Sequence, residues 1–440
     1  MNPLWTGGIV TLIALVFLFS GMPIAFALGV TSLIAIFLFM DVYQISMMAE
    51  TIYEGVNDFS LLSIPLFLFM GMIVAISRAG GDLYECFHRW LYKIPGGLGI
   101  GNIAGCAVFA ALTGSSPATA AAIGTMGIPE MRKRGYPDGL ATGIITAGGT
   151  LGILIPPSVT MIIYGIATET SIGKLFIAGI IPGILMALLF AFWVPVGYTL
   201  GRRKNPAAFP LQKEEFYTLA QKFSSTLKVL PFIAVVLLVL GSLYTGWATP
   251  SEAAAVGAFL ILIIAIIFYK MYRPKEILEI LLKTTNESTM IMMIIATSFL
   301  FGAVLTNLFI AQTLTHMIMD MQVSRWITMF MINILLLVMG CFLPPVAIIL
   351  IVSPIIHPII KGLGFDPVWF GVLMTLNLEA GLITPPVGLN LYVVKGITPD
   401  IPLSTILWGS VPFILLLFLG MLILCFFPQL ATWLPGMMIN

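Results

Sequence analysis

Residues 377–391 read NLEAGLITPPVGLNL, a stretch in which two glycines and a proline pair interrupt an otherwise apolar segment. Proline removes a backbone donor and clashes with the preceding helical turn, and glycine lets the chain open, so a helix breaks at such a string. The surrounding segment 368–394 is long enough to cross a membrane as a helix. The sequence therefore predicts a membrane helix that is broken near its middle.

Three further strings interrupt apolar segments in the same way. They are TGSSP (113–117), GGTLGILIPP (148–157) and GCFLPP (340–345). The spacing repeats, because 40 residues separate Pro117 from Pro157 and also Pro345 from Pro385. A single proline kink is usually structural, but four breaks at matched spacing are typical of a transporter built from an inverted repeat. Each half is predicted to contain a hairpin broken at its tip and then a spanning helix broken in its middle.

The composition is that of an integral membrane protein. Of the 440 residues, 59% are hydrophobic and only 9% are charged, against roughly 25% charged residues in soluble domains. The chain has no nucleotide-binding P-loop motif, so energy for transport is expected from an ion gradient or from a separate subunit. The lipid bilayer is the expected surroundings, and no nucleic-acid partner is expected.

The charges of the loops predict the topology, since Lys and Arg favour cytoplasmic loops. The loop 41–60 carries four acidic residues and no Lys or Arg, which places it outside. Only three of the 20 Lys and Arg then also lie outside, namely Lys174, Arg325 and Lys361. The segments 98–128 and 327–360 are too short for two crossings, which need about 40 residues. They are predicted to be re-entrant hairpins that open to opposite sides.

The other apolar segments are predicted to cross fully. They are 61–77, 138–168, 174–200, 229–247, 251–269, 288–311, 368–394 and 403–427. Residues 4–40 allow one long tilted helix or two short helices broken at 21–23, and the repeat symmetry favours a single crossing. An amphipathic arm at 42–58 then matches one at 274–287. With a single crossing the N-terminus is predicted to be cytoplasmic and the C-terminus periplasmic.

The breaks also predict the binding site. Carbonyl oxygens freed there, with Thr or Ser hydroxyls, are ligands suited to an alkali cation, while half-helix N-termini favour an anion. The candidate sodium ligands are Ala110, Thr113, Gly152, Ile155 and Pro156 in the first half, and Gly340, Gly381, Thr384 and Val387 in the second. Polar residues nearer the tips are the candidates for solute contact, namely Ser115, Ser116, Thr150 and Asn390.

Glu379 is the one acidic residue deep within a predicted span. Acids inside the membrane are rare and are usually functional. The residue pattern leaves two interpretations open: Glu379 tunes a cation site or carries a proton, or it is a hydrogen-bonded structural acid in a wet pocket.

Four stretches together resemble the large membrane subunit of a tripartite ATP-independent periplasmic (TRAP) transporter. They are GMPIAFALG (21–29), GSSPATAAAIGTMGIPEMRKRGY (114–136), GGTLGILIPPS (148–158) and NLEAGLITPPVGLNL (377–391). The resemblance covers essentially the whole chain. It implies an all-α, elevator-type importer of a small carboxylate, similar to the ion-transporter superfamily, with two or more coupled sodium ions. GCFLPP lacks the acidic residue of many members, so no solute contact by an acid is expected in the second hairpin.

The resemblance further implies a bacterial inner-membrane location and two protein partners, a small four-helix membrane subunit and a periplasmic substrate-binding protein. It divides the chain into a first repeat (1–200), a cytoplasmic linker with a connecting helix (201–247) and a second repeat (248–440). Within the repeats, 1–94 and 248–325 are assigned to a scaffold. Residues 95–200 and 326–440 are assigned to the part that carries the substrate.

Other functions remain as alternatives. A proton-coupled anion transporter of similar fold is one, and a passive channel that also uses re-entrant half-helices is a weaker one. A membrane-embedded enzyme is disfavoured because the sequence has no H-E-x-x-H motif and no paired intramembrane acids. The carboxylate itself is left open between a C4-dicarboxylate, sialic acid or another sugar acid, and a keto acid.

Overall fold

The fold was obtained as a computed structural model, which describes residues 2–204, 216–321 and 323–438. Every regular element in these ranges is helical, so the predicted all-α class is confirmed. Residues 205–215 of the linker between the repeats, including the basic residue Lys213, lie outside the described residues.

Twenty α-helices follow one another along the chain. They are α1 (Pro3–Phe19), α2 (Ile24–Phe39), α3 (Ser46–Val56), α4 (Ser63–Ile76), α5 (Ala79–Leu91), α6 (Gly97–Thr113), α7 (Ser116–Lys133), α8 (Asp138–Leu154), α9 (Val159–Ala167), α10 (Ile172–Lys204), α11 (Leu219–Tyr244), α12 (Pro250–Tyr269), α13 (Pro274–Asn307), α14 (Ile310–Asp320), α15 (Arg325–Gly340), α16 (Pro345–Gly362), α17 (Pro367–Leu382), α18 (Leu389–Ile397), α19 (Leu403–Phe426) and α20 (Gln429–Gly436). Single 3-10 turns precede α3 (Val42–Ile45) and α4 (Phe59–Leu62).

Seven of these helical segments are long and apolar enough to cross a membrane. They are Phe59–Ile76, Ile172–Arg203, Leu219–Tyr244, Pro250–Tyr269, Pro274–Asn307, Pro345–Gly362 and Leu403–Phe426. The pair α8 and α9 passes the same test as one span that bends by 41° at its break. The chain is therefore a multi-pass membrane protein.

All four predicted breaks are present. Helix α6 ends at Thr113 and α7 begins at Ser116, and the second hairpin is interrupted in the same way between α15 and α16. The helix pairs α8–α9 and α17–α18 are interrupted at the two proline pairs. Gly114 and Gly388 adopt positive φ angles, both of 60°, which a residue with a side chain rarely adopts. Glycine and proline thus break these helices for the local reasons that the sequence indicates.

Of the two alternatives for residues 4–40, the structure shows two helices and not one long helix. They are α1 and α2, and they are separated at Gly21, whose φ is 82°. Gly7 in α1 lies against Ile310 of α14, whereas Gly29 in α2 lies against Thr297 of α13. The two helices therefore pack on different elements of the second half. The Gly-Met-Pro string ends one helix and starts the next because neither glycine nor proline continues the first.

Two other boundaries differ from the predictions. The arm expected at 274–287 is continuous with the following span, and together they form α13, a helix of 34 residues. The crossing predicted for 288–311 ends at Asn307, and an additional amphipathic helix, α14, follows it. Phe309 at the join has a φ of 58°, so the helix axis changes direction there.

The two halves of the chain pack directly against each other where α8 crosses α19. A Cβ atom on Gly409 would lie 1.8 Å from the carbonyl oxygen of Gly139, and one on Gly143 would lie 2.1 Å from that of Gly409. Small residues at such crossings let membrane helices approach backbone to backbone. At the end of α7, Arg132 pairs with Asp138 at 2.9 Å and with Asp400 at 2.7 Å. This hydrogen-bonded ion pair lowers the pKa of the Asp400 carboxyl.

Candidate functional site

In the first half, the hairpin tip lies directly on the broken helix. A Cβ atom on Gly152 would lie 2.4 Å from the carbonyl oxygen of Ser115, and one on Gly114 would lie 2.7 Å from that of Pro157. Side-chain carbons do not approach backbone atoms so closely, so only glycine fits at either position. The structure therefore brings the first predicted hairpin and the first broken helix into contact at their interruptions.

The second half shows the same arrangement. Gly340 at the end of α15 packs against Gly381 in α17, where an added Cβ would lie 2.6 Å from the Gly340 carbonyl carbon. The backbone N–H groups of Val387 and Gly388 donate to the carbonyl oxygen of Cys341 at 3.2 and 3.4 Å. These bonds satisfy amides that the helix break leaves without intrahelical partners. The tip of the second hairpin is thus held on the second broken helix.

The candidate sodium ligands surround these two contacts. Thr113 is buried at the end of α6, and its hydroxyl lies 3.2 Å from that of Thr119. The Thr384 hydroxyl donates to the Ala380 carbonyl at 2.5 Å, which leaves its lone pairs free to coordinate a cation. The first-half positions Ala110, Gly152 and Pro156 are buried, and Ile155 is half-buried. In the second half Gly340 and Gly381 are buried while Val387 is exposed.

The oxygen atoms available as ligands at both contacts are of the kind that sodium prefers. They are backbone carbonyls and hydroxyls, the hard oxygen ligands that such cations prefer. Within the described ranges, no three or more His, Cys, Asp and Glu side chains come together as a transition-metal site would require.

A hydrogen-bonded cluster joins the two halves, and we call it the central junction. It consists of Ser116 in α7, Ile153 in α8, Glu379 in α17 and Asn390 in α18. The Asn390 side-chain amide donates to the Ser116 hydroxyl at 2.8 Å. That hydroxyl donates to Glu379 Oε2 at 3.5 Å, and the Ile153 N–H donates to Glu379 Oε1 at 3.3 Å. Residues far apart in sequence thus meet at one buried point.

Two helix N-termini lie at the central junction. Ser116 is the first residue of α7 and Asn390 is the second residue of α18, so two half-helix N-termini point at the cluster. Each such terminus carries partial positive charge and favours an anion. Glu379 is fully buried, and among the described residues no Lys or Arg pairs with it. The arrangement therefore suits one negative group held by amides, hydroxyls and helix ends.

The four candidates for solute contact differ in burial and in hydrogen bonding. Ser116 and Asn390 belong to the central junction and are fully buried, and the side-chain oxygen of Asn390 has no hydrogen-bond partner in the described part of the chain. Ser115 is half-buried at the tip of the first hairpin. Thr150 is buried, but its hydroxyl donates to the Ala147 carbonyl within its own helix at 2.6 Å.

Sequence reasoning missed several residues that hold this site together. Gly71 of α4 packs on Thr113, because an added Cβ would lie 2.9 Å from the Thr113 Cα. The Ser158 hydroxyl donates to the Ile153 carbonyl at 2.7 Å and accepts from the Met161 N–H at 3.3 Å, so it caps α9. The position of Ser158 directly after a proline pair signals such a cap. Nothing in the sequence near Gly71 indicates its neighbour.

Comparisons with known proteins identify a family. The family model described as the DctM component of the tripartite ATP-independent periplasmic transporter matches residues 11–430. A C4-dicarboxylate TRAP transporter large permease protein of Pseudomonas aeruginosa is 38% identical, with 93% of this chain and 94% of that protein covered. A sialic acid TRAP transporter large permease protein of Vibrio cholerae is 31% identical, with 96% and 97% covered.

A solved structure shares the architecture. The Alcanivorax borkumensis YdaH transporter superposes with a TM-score of 0.64 over 90% of both chains, at 15% sequence identity. At that identity the likeness concerns the fold alone.

Proposed function

The chain belongs to the DctM component family of the tripartite ATP-independent periplasmic transporters, and from this we propose that it imports a small organic carboxylate driven by sodium. It is a large permease, a transporter component rather than an enzyme. A C4-dicarboxylate is the first choice of substrate, because the large permease that is 38% identical is named for C4-dicarboxylates. Sialic acid or another sugar acid is the second choice.

The observation that carries this proposal is the pair of glycine contacts between a hairpin tip and a broken helix. Each contact gathers backbone and hydroxyl oxygens at an interruption in the membrane-spanning part of the chain. We assign the first sodium to Ala110, Thr113, Gly152, Ile155 and Pro156, and the second to Gly340, Gly381, Thr384 and Val387. The carboxylate is assigned to the space at the α7 and α18 N-termini, beside Ser115, Ser116, Thr150 and Asn390.

The remaining parts of the proposal concern motion and partners. Residues 95–200 and 326–440 are assigned to a unit that moves against a scaffold, as in an elevator mechanism. The close α8–α19 crossing supports this assignment, because it ties parts of both halves into one body. A small membrane subunit and a periplasmic substrate-binding protein are the proposed partners in the inner membrane.

The test is uptake of a radiolabelled C4-dicarboxylate into vesicles that contain the complete transporter and its binding protein. We expect accumulation above the outside concentration when sodium is higher outside, and none when sodium is equal on both sides. Accumulation driven by a proton gradient without sodium would instead support the proton-coupled alternative. Equilibration without accumulation would support a channel.

Removing a candidate hydroxyl ligand should weaken sodium activation. We expect Thr113→Ala and Thr384→Ala each to raise the sodium concentration for half-maximal uptake by about tenfold, since one lost ligand bond to a charged group costs about 1.5 kcal/mol. Thr125→Ala is the matched control, because that hydroxyl also donates to a carbonyl one turn earlier, at 2.7 Å, but on an exposed surface. Unchanged sodium activation in both variants would remove these residues from the sodium sites.

The break at Gly21 bears on the orientation of the N-terminus. We propose that α1 and α2 cross the membrane in opposite directions, which places the N-terminus outside when the 41–60 segment is external. A single crossing over 4–40 would place it in the cytoplasm. Single cysteines at Asn2 and Asn57, in a chain lacking its four native cysteines, should both react with an impermeant maleimide added outside. Lys275→Cys is the internal control and should react only after permeabilisation. Protection of Asn2→Cys equal to that of Lys275→Cys would reject this orientation.

A further inference from the structure

A pair of asparagine side chains joins the second hairpin to the second broken helix, and we call it the amide clamp. It consists of Asn333 in α15 and Asn377 in α17. The side-chain amide of Asn377 donates to the backbone carbonyl oxygen of Asn333 at 2.8 Å and to its side-chain oxygen at 2.9 Å. Neither residue belongs to the proposed sodium or solute ligands. The clamp therefore calls for a role other than contact with a ligand.

The chemistry of the clamp fixes the orientation of both side chains. The Asn333 amide donates to the Met329 carbonyl one turn earlier at 2.9 Å, so its side-chain oxygen faces α17. Asn377 thus meets two oxygen atoms, and only its nitrogen can donate to both. Asn377 is 1% exposed, and these are the only two hydrogen bonds that its side chain makes within the described ranges. A buried amide without partners is costly at membrane depth, so the clamp resists separation of α15 from α17.

Helix α15 has little other packing that would fix its position. Four of its 16 residues are buried, against 13 of the 17 residues of α6, which is the matching helix of the first hairpin. The four are Met329, Ile332, Leu336 and Gly340. They recur every three or four residues and so form one narrow face of the helix. Lipid is as apolar as these side chains, so apolar contact alone gives α15 little preference for one position along α17.

The clamp distinguishes one position from the next. A slip of α15 by one helical turn, about 5.4 Å, would keep an apolar face against α17. It would also put Met329 or Leu337 in the place of Asn333, and neither has a side-chain oxygen. A single buried asparagine sets the register of a coiled coil in the same way. In the first hairpin the buried amide of Asn102 donates within its own helix, to the Leu98 carbonyl at 2.9 Å.

We propose that Asn377 is a positioning residue that fixes the register of the second hairpin and so places its tip on the second broken helix. Asn377 precedes Gly381 by four residues, about 6 Å along α17, and Asn333 precedes Gly340 by seven residues, about 10.5 Å along α15. The clamp and the glycine contact thus join the same two helices at two separate points. The consequence for sodium binding rests on the proposed function, whereas the placement of the tip does not.

Two native cysteines can report the position of the tip. Cys341 directly follows Gly340 and is buried at the tip, and Cys106 is buried in α6 of the first hairpin. Buried thiols react slowly, so exposure of either one raises its rate of alkylation. The test follows alkylation of each cysteine by N-ethylmaleimide, using mass spectrometry, in membranes that contain the full chain with its partner subunits.

We expect Asn377→Leu to raise the alkylation rate of Cys341 at least about fivefold, since polar bonds between membrane helices change such equilibria about three- to twentyfold. The rate at Cys106 should stay unchanged. Asn307→Leu is the matched control, because that amide also donates one turn back, to the Ala303 carbonyl at 2.9 Å, but it is exposed on α13. Unchanged alkylation of Cys341 in Asn377→Leu would overturn the proposal, and so would an equal rise at Cys106, which indicates general loss of the fold.

A double variant separates positioning from stability. Asn333→Leu combined with Asn377→Leu removes both amides together, so the unfolding temperature should return toward normal. The alkylation rate of Cys341 should stay raised, because two leucines do not select one register. Recovery of slow alkylation in the double variant would reject the positioning role.

Sodium activation of uptake gives the readout that depends on the proposed function. We expect Asn377→Leu to raise the sodium concentration for half-maximal uptake about fivefold, in the range that such interhelical bonds control. Fast alkylation of Cys341 with unchanged sodium activation would support the clamp and count against the second sodium site instead. The two failures are thus distinguishable.

Discussion

Gly381→Ala and Gly152→Ala are each expected to reduce uptake to below about one hundredth of normal, since a displacement of about 1 Å at a binding site can cost a hundredfold. Both changes place a methyl group against backbone of a hairpin tip. The added Cβ would lie 2.6 Å from the Gly340 carbonyl carbon in one case and 2.4 Å from the Ser115 carbonyl oxygen in the other. A backbone cannot rotate out of the way as a flexible side chain can, so the hairpin must separate from the broken helix.

The measurement is initial uptake rate per folded transporter, with thermal unfolding recorded in parallel. Overpacking of this kind costs about 1–3 kcal/mol, so we expect a lower unfolding temperature but a folded chain. Gly105→Ala in α6 is the control, because its added Cβ would meet only Ile123 Cδ1 at 4.0 Å. If both site variants keep the uptake of the control, the hairpin contacts do not form the transport site.

The breaks were predictable because their causes are local. A proline pair or a glycine at a helix end acts on the residues beside it, and the sequence displays all four strings directly. The helix pair α1 and α2 shows the limit of this reasoning. The Gly21 to Pro23 string indicates a break, but the direction of α2 after it depends on packing against α13, which follows more than 200 residues later. Repeat symmetry, which favoured a single crossing, carries no information about that contact.

The candidate site likewise has a part that was predictable from the sequence and a part that was not. The glycine contacts within each half follow from motifs that lie about 40 residues apart, and those were predictable in outline. The central junction joins Ser116 to Glu379 across 263 residues and to Asn390 across 274. No periodicity or spacing in one sequence encodes such a pairing, because it results from the packing of one half on the other. The sequence therefore identified Glu379 as a buried acid but did not identify its hydrogen-bond partners.

Removal of the Glu379 charge is the second change for which we expect a large effect. Its carboxylate is fully buried and is held by the Ser116 hydroxyl and the Ile153 N–H, with no basic partner among residues 2–204, 216–321 and 323–438. In general, two opposite unit charges about 7 Å apart attract each other by about 2.4 kcal/mol at an effective dielectric constant of 20. That energy corresponds to roughly a fiftyfold change in affinity.

We therefore expect Glu379→Gln to raise the sodium concentration for half-maximal uptake at least about tenfold, while the chain still folds. Glutamine keeps the volume and an acceptor for the Ile153 N–H, and its NH2 group can donate to the Ser116 hydroxyl in place of accepting from it. The charge is therefore lost while a polar group stays beside each partner. Glu379→Ala tests how much Glu379 contributes to the stability of the fold. It also leaves two buried donors without the Glu379 acceptor and should lower the unfolding temperature. Glu54→Gln, at an exposed acid in α3, is the control.

The two variants discriminate between the interpretations of Glu379. A structural acid predicts normal sodium activation in Glu379→Gln and instability only in Glu379→Ala. A proton carrier predicts that Glu379→Gln abolishes the pH dependence of uptake and leaves sodium activation unchanged. An acid that tunes a cation site predicts loss of sodium affinity in Glu379→Gln with the fold intact, and this is the outcome that we expect.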